Sequence, residues 1–388
     1  MKKVLVLLTT LDGGGAVTST ALMVQGLRDK GYDVTCAVLS LSDGVLPSHL
    51  QFLTFDLLNL DTNYRSKQLR RILSFFKLKK LFKEGRFDVV FCSDSPILAW
   101  VACQALKCCG LRKKTFCCHI QRNTFHYALN NHFKGALRKL VWNLFKRIYR
   151  APDMLIAISR GVEKDLLDYA LQAPQKIKVI YNPVIGDFEP LQREKVDHPF
   201  FEDPNLKIVL GTGYLIKRKG FDILIKAFGR VASRRSEARL IILGGKAVAE
   251  GEDQECALRT LIKQLKLEDR VSLEGYRKNP FPYMKKADVF VLSSFEEGFG
   301  RVLVEAMSCG TTPVSTDCLY GPSEILEGGE YGYLVPVGDV DQMALGIEQA
   351  LDVPFSPDLL KKRADCFSVA ASLESYVRLI EERVGRTL

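Results

Sequence analysis

Short apolar segments alternate with amphipathic helical segments along most of the chain, and this alternation limits the fold more than any other feature. Six strand-like segments occupy the first half: Val4–Leu8, Val34–Leu39, Val89–Cys92, Thr115–Cys118, Met154–Ala157 and Ile177–Tyr181. Five more follow a polar, proline-containing stretch: Lys207–Leu210, Leu240–Leu243, Val271–Leu273, Val289–Leu292 and Thr312–Ser315. Strands separated by helices form parallel sheets covered on both faces. The sequence therefore predicts an α/β protein with two doubly wound parallel sheets.

The length of 388 residues suits about two domains of ordinary size. We predict a first domain over residues 1–185 and a second over 186–371, with a linker at Gly186–Pro204. The amphipathic pattern of Ser372–Val384 predicts a helix, and we expect the segment 372–388 to pack back toward the first domain.

Cysteine usage and the apolar start of the chain bear on its location. The eleven cysteines are odd in number and irregularly spaced, which is typical of reduced thiols in a cytosolic protein. Val4–Leu8 follows two lysines, as in a signal peptide, but runs into the glycine loop Gly13–Gly15 without a cleavage site. No apolar run reaches the roughly 18 residues that would span a bilayer. We expect a cytoplasmic protein.

The stretch from Ser293 to Met307 carries the most chemical information. A buried strand runs into a glycine-containing loop, Glu297-Gly298-Phe299-Gly300, which then opens a helix. The amide groups at a helix start attract anions, and glycines let a phosphate approach closely. Glu297 and Glu305 lie on either side of this point, where carboxylates suit sugar hydroxyls. From spacing alone, a solvent-exposed Glu297 and a Glu305 that interacts with the helix dipole explain the pattern equally well.

Two other glycine loops follow strands. Gly211 to Gly220 contains three consecutive cations, Lys217-Arg218-Lys219, which suit a diphosphate but also suit an exposed turn. Gly13-Gly14-Gly15 follows the first strand, but it is not a GxGxxG fingerprint, and Ser40 and Ser42 stand where an acidic residue would end the second strand. This argues against a dinucleotide cofactor.

In their order along the chain, these motifs resemble the retaining GT-B glycosyltransferases of family 4. Glu297 to Glu305 is similar to the family's E-x7-E motif. Four further segments carry the resemblance: Arg218-Lys219-Gly220, Ala157-Ile158-Ser159, Val179-Ile180-Tyr181-Asn182-Pro183 and Tyr331-Gly332-Tyr333-Leu334-Val335. The segment Thr316–Leu326 is most similar to members that build lipopolysaccharide, capsule or exopolysaccharide. The resemblance implies two Rossmann-like domains facing an interdomain cleft.

The resemblance also implies roles for individual residues. Glu297 would hold the transferred sugar beside its anomeric carbon, and Glu305 would accept the ribose hydroxyls. His119 would face the donor sugar as a second catalytic residue, although a histidine between Cys118 and Ile120 is more often buried in a core. The remaining donor-binding residues would be Gly14, Gly15, Arg218, Lys219, Tyr276, Arg277, Gly298, Phe299, Gly300, Arg301, Val302 and Leu303.

The sequence departs from the family pattern in two places. Gly213-Tyr214 stands where the family has Gly-Arg, so Arg218 or Lys217 would have to supply the missing charge. The N-terminal loop continues as Ala16-Val17-Thr18 instead of Ala-Glu-Arg, which bears on the acceptor and not on the chemistry. Family members need no metal and no cofactor. UDP is the expected nucleotide, because it is the commonest in the family.

Positive charge is concentrated in the first half of the chain. Residues 1–185 contain 28 lysines and arginines and 13 aspartates and glutamates, giving +15, whereas the remainder carries −5. Arg65–Lys83 and Lys134–Arg150 mix these cations with large apolar residues, including Trp142, Phe145 and Tyr149. Such helices suit either an anionic membrane surface or a core-facing helix with solvated cations. We expect peripheral binding to the inner face of the cytoplasmic membrane and a lipid-linked or glycan acceptor.

Four other classes of protein share features with this sequence. A retaining glycosidase would need no cations for phosphate, and an oxidoreductase would need the missing fingerprint. Nothing in the sequence resembles a known nucleic-acid-binding module, so no nucleic-acid partner is expected. A catalytically inactive sugar-nucleotide-binding or scaffold protein on the same fold stays open as the alternative.

Overall fold

The computed structural model describes residues 1–9, 14–39, 57–60, 67–93, 95–126, 135–169, 171–245 and 253–385. The chain divides into two compact units. The first comprises residues 1–183 together with 369–388, and the second comprises residues 184–368. The last helix of the chain therefore belongs to the first unit. The sequence prediction is that the segment 372–388 packs back toward this unit.

The first unit contains a seven-stranded parallel sheet. Its strands are β1 (Lys3–Leu8), β2 (Asp33–Val38), β3 (Leu57–Asn59), β4 (Val89–Cys92), β5 (Phe116–Gln121), β6 (Met154–Ala157) and β7 (Ile177–Val179). Their order across the sheet is β3-β2-β1-β4-β5-β6-β7. Val4 of the central strand β1 is opposite Val34 on one side and Val89 on the other. Side chains buried on both faces explain the continuous apolar runs in the sequence.

Helices cover both faces of this sheet. They are α1 (Gly15–Asp29), α2 (Lys67–Gly85), α3 (Pro96–Cys108), α4 (Gly135–Tyr149) and α5 (Arg160–Asp168). The chain's last helix, Val369–Val384, packs against α1, and Ser372 Oγ donates to the Tyr181 carbonyl oxygen at 2.9 Å. Buried Leu373, Tyr376, Leu379 and Ile380 form its inner face, as the amphipathic pattern predicted.

The second unit contains a six-stranded parallel sheet. Its strands are β8 (Lys207–Thr212), β9 (Ala238–Leu243), β10 (Val271–Leu273), β11 (Val289–Leu292), β12 (Thr312–Thr316) and β13 (Tyr333–Val335), in the order β10-β9-β8-β11-β12-β13. The helices are α6 (Glu189–Gln192), α7 (Phe221–Arg234), α8 (Glu255–Gln264), α9 (Phe281–Lys286), α10 (Arg301–Ser308), α11 (Pro322–Ile325), α12 (Val340–Asp352) and α13 (Pro357–Asp365). The final helix Val369–Val384 is accordingly α14.

The structure differs from the sequence prediction at the start of this unit and at one edge of each sheet. Strands β3 and β13, which lie at the edges of the two sheets, were not predicted. The stretch predicted as a linker is part of the second unit: the Phe188 ring packs 4.7 Å from that of Phe281, and His198 Nε2 lies 3.2 Å from Glu274 Oε1. Buried apolar side chains at Phe188 and Val196 fix this otherwise polar segment.

Among the residues described, no helix combines the length and the apolar character that crossing a membrane requires.

Candidate donor-binding site

The helix α10 begins directly behind the loop that follows β11. Its N-cap residue is Gly300, which has a φ of 90° and therefore adopts a left-handed conformation that favours glycine. The first turn carries no acidic side chain. The positive end of the helix dipole is thus not neutralised by its own first turn, an arrangement that suits a bound anion.

A second loop, at the end of β8, is hydrogen-bonded to the loop that precedes α10. The Phe295 amide donates to the Arg218 carbonyl oxygen at 2.8 Å, and Ser293 Oγ donates to that of Lys219, also at 2.8 Å. Gly220 has a φ of 62°, and a Cβ atom there would lie 2.2 Å from the Ser293 oxygen. The glycine is needed because the two loops approach so closely.

The contact between these two loops places Lys219 next to Glu297. Lys219 Nζ lies 2.5 Å from Glu297 Oε1, and Ser294 Oγ donates to the same oxygen at 2.6 Å. Burial would raise the pKa of Glu297, but the Lys219 ammonium, the Ser294 hydroxyl and the nearby Arg218 charge outweigh it, so the pKa lies below its usual value. Glu297 is therefore a nearly buried carboxylate that stays ionised.

The backbone of Glu297 is held by a third segment, which follows β12. The Glu297 amide donates to the Leu319 carbonyl oxygen at 3.1 Å, and the Tyr320 amide donates back to the Glu297 oxygen at 2.7 Å. Thr316 Oγ1 also donates to the Ser294 carbonyl oxygen at 2.6 Å. The sequence indicates residues 316–326 only as a family cue, and their contacts with this loop are a feature that sequence reasoning misses.

The second glutamate of the motif also has a cation. Arg301 Nε donates to Glu305 Oε1 at 2.6 Å, and both side chains are nearly buried. The sequence prediction places Arg301 among the donor-binding residues but does not pair it with Glu305. The signal for the side-chain contact is the i, i+4 spacing on a helix.

Two of the predicted donor-binding residues, Tyr276 and Arg277, lie in the segment that follows β10. Tyr276 is exposed, and Arg277 forms an ion pair with Glu274. This segment adjoins the β9 end, because the Gly244 amide donates to the Gly275 carbonyl oxygen at 2.8 Å. A Cβ atom on Gly244 would lie 2.2 Å from the Gly213 oxygen, next to the loop that carries Lys219. The predicted donor-binding residues of the second unit thus share the carboxyl edge of one sheet.

A hydroxyl group at the same edge has no hydrogen-bond partner. Among the described residues, the only buried side-chain oxygen or nitrogen that lacks a hydrogen-bond partner is Thr212 Oγ1, at the end of β8. A Cβ on the preceding residue, Gly211, would point at Leu224 and Phe221 of α7, so Thr212 points to the opposite face of the sheet. The connection from β8 to β9 and the connection from β10 to β11 cross the sheet in opposite directions. The helices α9 and α10 therefore lie on the face opposite to α7, which is the face that Thr212 points to.

In the first unit, His119 is buried, and each of its ring nitrogens lies near an oxygen atom. Its Nδ1 lies 3.2 Å from the Cys92 carbonyl oxygen, and its Nε2 lies 2.8 Å from Gln121 Oε1, which also accepts from Tyr149. Burial lowers the pKa of His119 to about 4, against the opposing effect of these contacts. The ring is therefore neutral near pH 7.

The strand that contains His119 is longer than the predicted Thr115–Cys118. Strand β5 continues to Gln121, so His119 lies within the strand and not after its end. Each ring nitrogen has an oxygen within hydrogen-bond distance inside the first unit, and the catalytic role stays a prediction. Of the predicted glycine loop, Gly13 lies outside the described residues, Gly14 has a φ of 138° and caps α1, and Gly15 begins that helix.

A buried arginine near this edge was missed by the sequence reasoning. Arg122 donates to Asn182 Oδ1 at 2.7 Å, to Thr20 Oγ1 at 2.8 Å and to the Ser93 carbonyl oxygen at 2.8 Å. These contacts tie α1 to the segments that follow β4, β5 and β7. Because the partners of Arg122 lie up to 102 residues away in sequence, no local sequence pattern predicts this cluster.

Two parallel doubly wound sheets, the second with cation–carboxylate pairs at a helix start on its carboxyl edge, define a protein of the GT-B class. Two family models match this chain: Glycosyltransferase Family 4 over residues 13–187 and Glycosyl transferases group 1 over residues 192–368. The chain belongs to the glycosyltransferases that combine these two domains.

Curated relatives and solved structures agree with this assignment. An N-acetylgalactosamine-N,N'-diacetylbacillosaminyl-diphospho-undecaprenol 4-alpha-N-acetylgalactosaminyltransferase of Campylobacter jejuni is 31% identical over 58% of this chain and 57% of its own. The lipopolysaccharide core biosynthesis glycosyltransferase LpsE of Rhizobium meliloti is 31% identical over 61% of this chain and 66% of its own. The chain thus matches only about half to two thirds of the length of these relatives. Anabaena HepE, solved with UDP and glucose, shares the fold with a TM-score of 0.77 at 20% identity, covering 98% of this chain and 100% of that one.

Proposed function

We propose that this protein is a retaining, metal-independent glycosyltransferase of surface polysaccharide biosynthesis. It moves a hexose or N-acetylhexosamine from a UDP-sugar to a lipid-linked or growing glycan acceptor, at the inner face of the cytoplasmic membrane. The observation that carries the proposal is the pairing of Lys219 with Glu297 and of Arg301 with Glu305 around the start of α10. Cations for a diphosphate and carboxylates for sugar hydroxyls occur there side by side.

The two pairs serve different parts of the donor in this proposal. Lys219 and Arg218 neutralise the diphosphate together with the first-turn amides of α10, residues 301–303 and the loop residues 298–300 before them. Glu305 accepts hydrogen bonds from the ribose hydroxyls, and Glu297 accepts them from the transferred sugar. Tyr276 and Arg277 adjoin the base. A donor with UDP is supported by the fold shared with HepE, and a lipid-linked acceptor by the undecaprenol-linked substrate in the name of the Campylobacter jejuni relative.

The transfer step follows from this charge distribution. The acceptor oxygen forms a bond to the anomeric carbon on the face from which the diphosphate leaves, and the bond between that carbon and the phosphate oxygen breaks. The acceptor proton passes to the departing phosphate oxygen. Lys219 and Arg218 stabilise the negative charge that grows on the leaving group, which is the largest contribution available here. Glu297 orients the sugar and stabilises positive charge at its anomeric carbon.

His119 is assigned no direct step in this mechanism, because its neutral ring is buried against Cys92 and Gln121 inside the first unit and has one N–H to donate. We propose that it acts as a positioning residue that fixes Gln121 and the segment after β5. Gly14 and Gly15 are proposed to let a substrate approach the start of α1 closely.

Release of nucleoside diphosphate from purified protein tests the function. UDP-, GDP- and ADP-sugars are supplied singly, and release is followed with and without a metal chelator. We expect slow hydrolysis of a UDP-sugar that the chelator does not reduce and that Glu297→Gln abolishes. Wild-type protein that binds UDP but releases none from any donor, with or without an acceptor lipid fraction, would favour the catalytically inactive alternative.

Retention has its own test. The anomeric configuration of the first product is read by proton NMR from the H1–H2 coupling before it equilibrates. An α-linked product from an α-linked donor is expected, and a β-linked product would contradict front-face attack.

A further inference from the structure

Three neighbouring helices of the first unit lie on one face of its sheet. The connections from β3 to β4, from β4 to β5 and from β5 to β6 all cross the sheet in the same direction, so their helices α2, α3 and α4 lie on one face. The helix α3 packs against both α2 and α4. Its inner side contributes Leu98, Ala102 and Leu106 to the core, and α2 contributes Leu78 and Phe82.

The outer side of these helices exposes large apolar side chains. Leu140 and Leu144, one helical turn apart on α4, are 67% and 55% exposed, and Phe76 of α2 and Trp100 of α3 are 58% and 39% exposed. We call the outward side of α2, α3 and α4 around these four residues the docking face. Apolar side chains gathered on one face mark an interaction surface more often than scattered ones do.

The aromatic residues that first suggested an interfacial helix lie on the inner side. Phe145 and Tyr149 of α4 pack against Phe125, and Trp142 Nε1 donates to the Tyr169 carbonyl oxygen at 3.0 Å. Lys146 Nζ lies 3.6 Å above the Trp142 ring centroid. The core interpretation therefore holds for these rings, and the two leucines carry the exposed apolar surface of α4.

Positive charge accompanies the exposed apolar groups. The sequences of α2, α3 and α4 contain twelve lysines and arginines and one acidic residue, Glu84, which pairs with Lys80. Residues 95–152 contain eleven lysines and arginines and no aspartate or glutamate. Arg147, one turn after Leu144, is exposed on the same side of α4.

We propose that the docking face binds an anionic lipid bilayer, with Leu140 and Leu144 entering the boundary between headgroups and acyl chains. The cations around them attract the negative surface, and the leucines supply the apolar contact that a soluble polyanion does not offer. The proposal deepens the function proposed above and rests on it for the lipid-linked acceptor. Bound in this way, the first unit meets an acceptor whose lipid anchor is already in the bilayer.

Vesicle sedimentation of the full chain tests the proposal. The probes are vesicles of phosphatidylcholine alone and of phosphatidylcholine mixed with phosphatidylglycerol, each at low and at high salt. Wild-type protein should bind only the mixed vesicles and be released by salt, because screening weakens the attraction. The double variant Leu140→Ser and Leu144→Ser should lose affinity about tenfold or more. The matched control is Leu345→Ser, a leucine of the second unit that is 44% exposed and should bind like wild type.

Other outcomes decide against the docking face. If the leucine variant and wild type bind the mixed vesicles equally while salt still releases both, the surface is a site for polyanions and the bilayer proposal fails. No sedimentation with either vesicle at low salt also overturns it. UDP release from a soluble donor is measured on the same samples: its absence in wild type contradicts the proposed function, whereas its retention in a leucine variant that no longer sediments supports both proposals.

Discussion

Lys219 Nζ lies 2.5 Å from Glu297 Oε1, so the residue proposed for the diphosphate and the residue proposed for the sugar are each other's partner. A diphosphate with two or more negative charges competes with Glu297 for the lysine. Binding of the donor would loosen this pair and leave Glu297 able to accept sugar hydroxyls. The ion pair thus couples recognition of the two ends of the donor.

Glu297→Gln should reduce turnover about a hundredfold or more, because a neutral amide does not stabilise positive charge at the anomeric carbon. UDP affinity should stay the same or increase, since Lys219 no longer divides its charge between the carboxylate and the ligand. Steady-state kinetics and calorimetric titration with UDP measure the two effects. Glu296→Gln, the adjacent carboxylate, is the control and should keep normal turnover.

Lys219→Met should both weaken UDP binding and destabilise the second unit. Removing one partner of a nearly buried pair leaves the other unpaired, at a cost of about 3 kcal/mol. The double variant Lys219→Met and Glu297→Gln should recover most of that stability, because neither charge remains. Urea unfolding of the four proteins completes the cycle. Strictly additive losses would show that the pair does not couple in solution.

Local patterns predicted this site in part. A buried strand, a glycine loop and a helix start follow one another in sequence, so Glu297 and Glu305 could be identified from residues that are close together. Lys219 lies 78 residues from Glu297, and only the resemblance to a family joined them before the structure did. The contacts of Leu319, Thr316 and Arg122 depend on how strands align across a sheet, which periodicity along one chain does not encode.

The surroundings of His119 could not be predicted from the sequence. The sequence places a histidine near the end of an apolar run, and the family resemblance gives it a catalytic role, which stays a prediction. In the structure His119 is opposite Cys92 and Leu155 inside the sheet. Two further residues of strand were enough to bury it, and strand ends are the part of a sheet that sequence predicts least well.

The burial of His119 predicts a pH dependence of stability. Its pKa falls from 6.5 to about 4 in the folded protein, so the unfolded chain binds the proton more readily between these values. This contribution to stability is complete above pH 6.5 and is lost as the pH falls toward 4. His119→Asn should have a flatter profile across that window than wild type. Urea unfolding at several pH values measures both, and parallel profiles would contradict the buried, neutral ring.

Arg301→Met should weaken UDP binding about tenfold, because Glu305 loses the group that orients it toward the ribose. Turnover at saturating donor should change little, since the ribose contact is the same before and during transfer. The conservative variant Arg301→Lys should recover part of the affinity. A fall in turnover without a change in UDP affinity would instead assign Arg301 to the leaving phosphate.

Thr212→Val should change stability and donor affinity in opposite directions. A buried hydroxyl without a partner costs free energy, so replacing it with a methyl group of the same shape should stabilise the second unit by about 1 kcal/mol. If the hydroxyl exists to bond the donor from the α10 side of the sheet, the same change should weaken donor binding about fivefold to tenfold. Thermal unfolding and calorimetric titration with UDP and a UDP-sugar measure the two quantities, and Thr212→Ser, which keeps the hydroxyl, is the control. A stabilised variant with unchanged affinity for both ligands would show that Thr212 serves neither the nucleotide nor the sugar, whereas a loss confined to the UDP-sugar would place its hydroxyl beside the transferred ring.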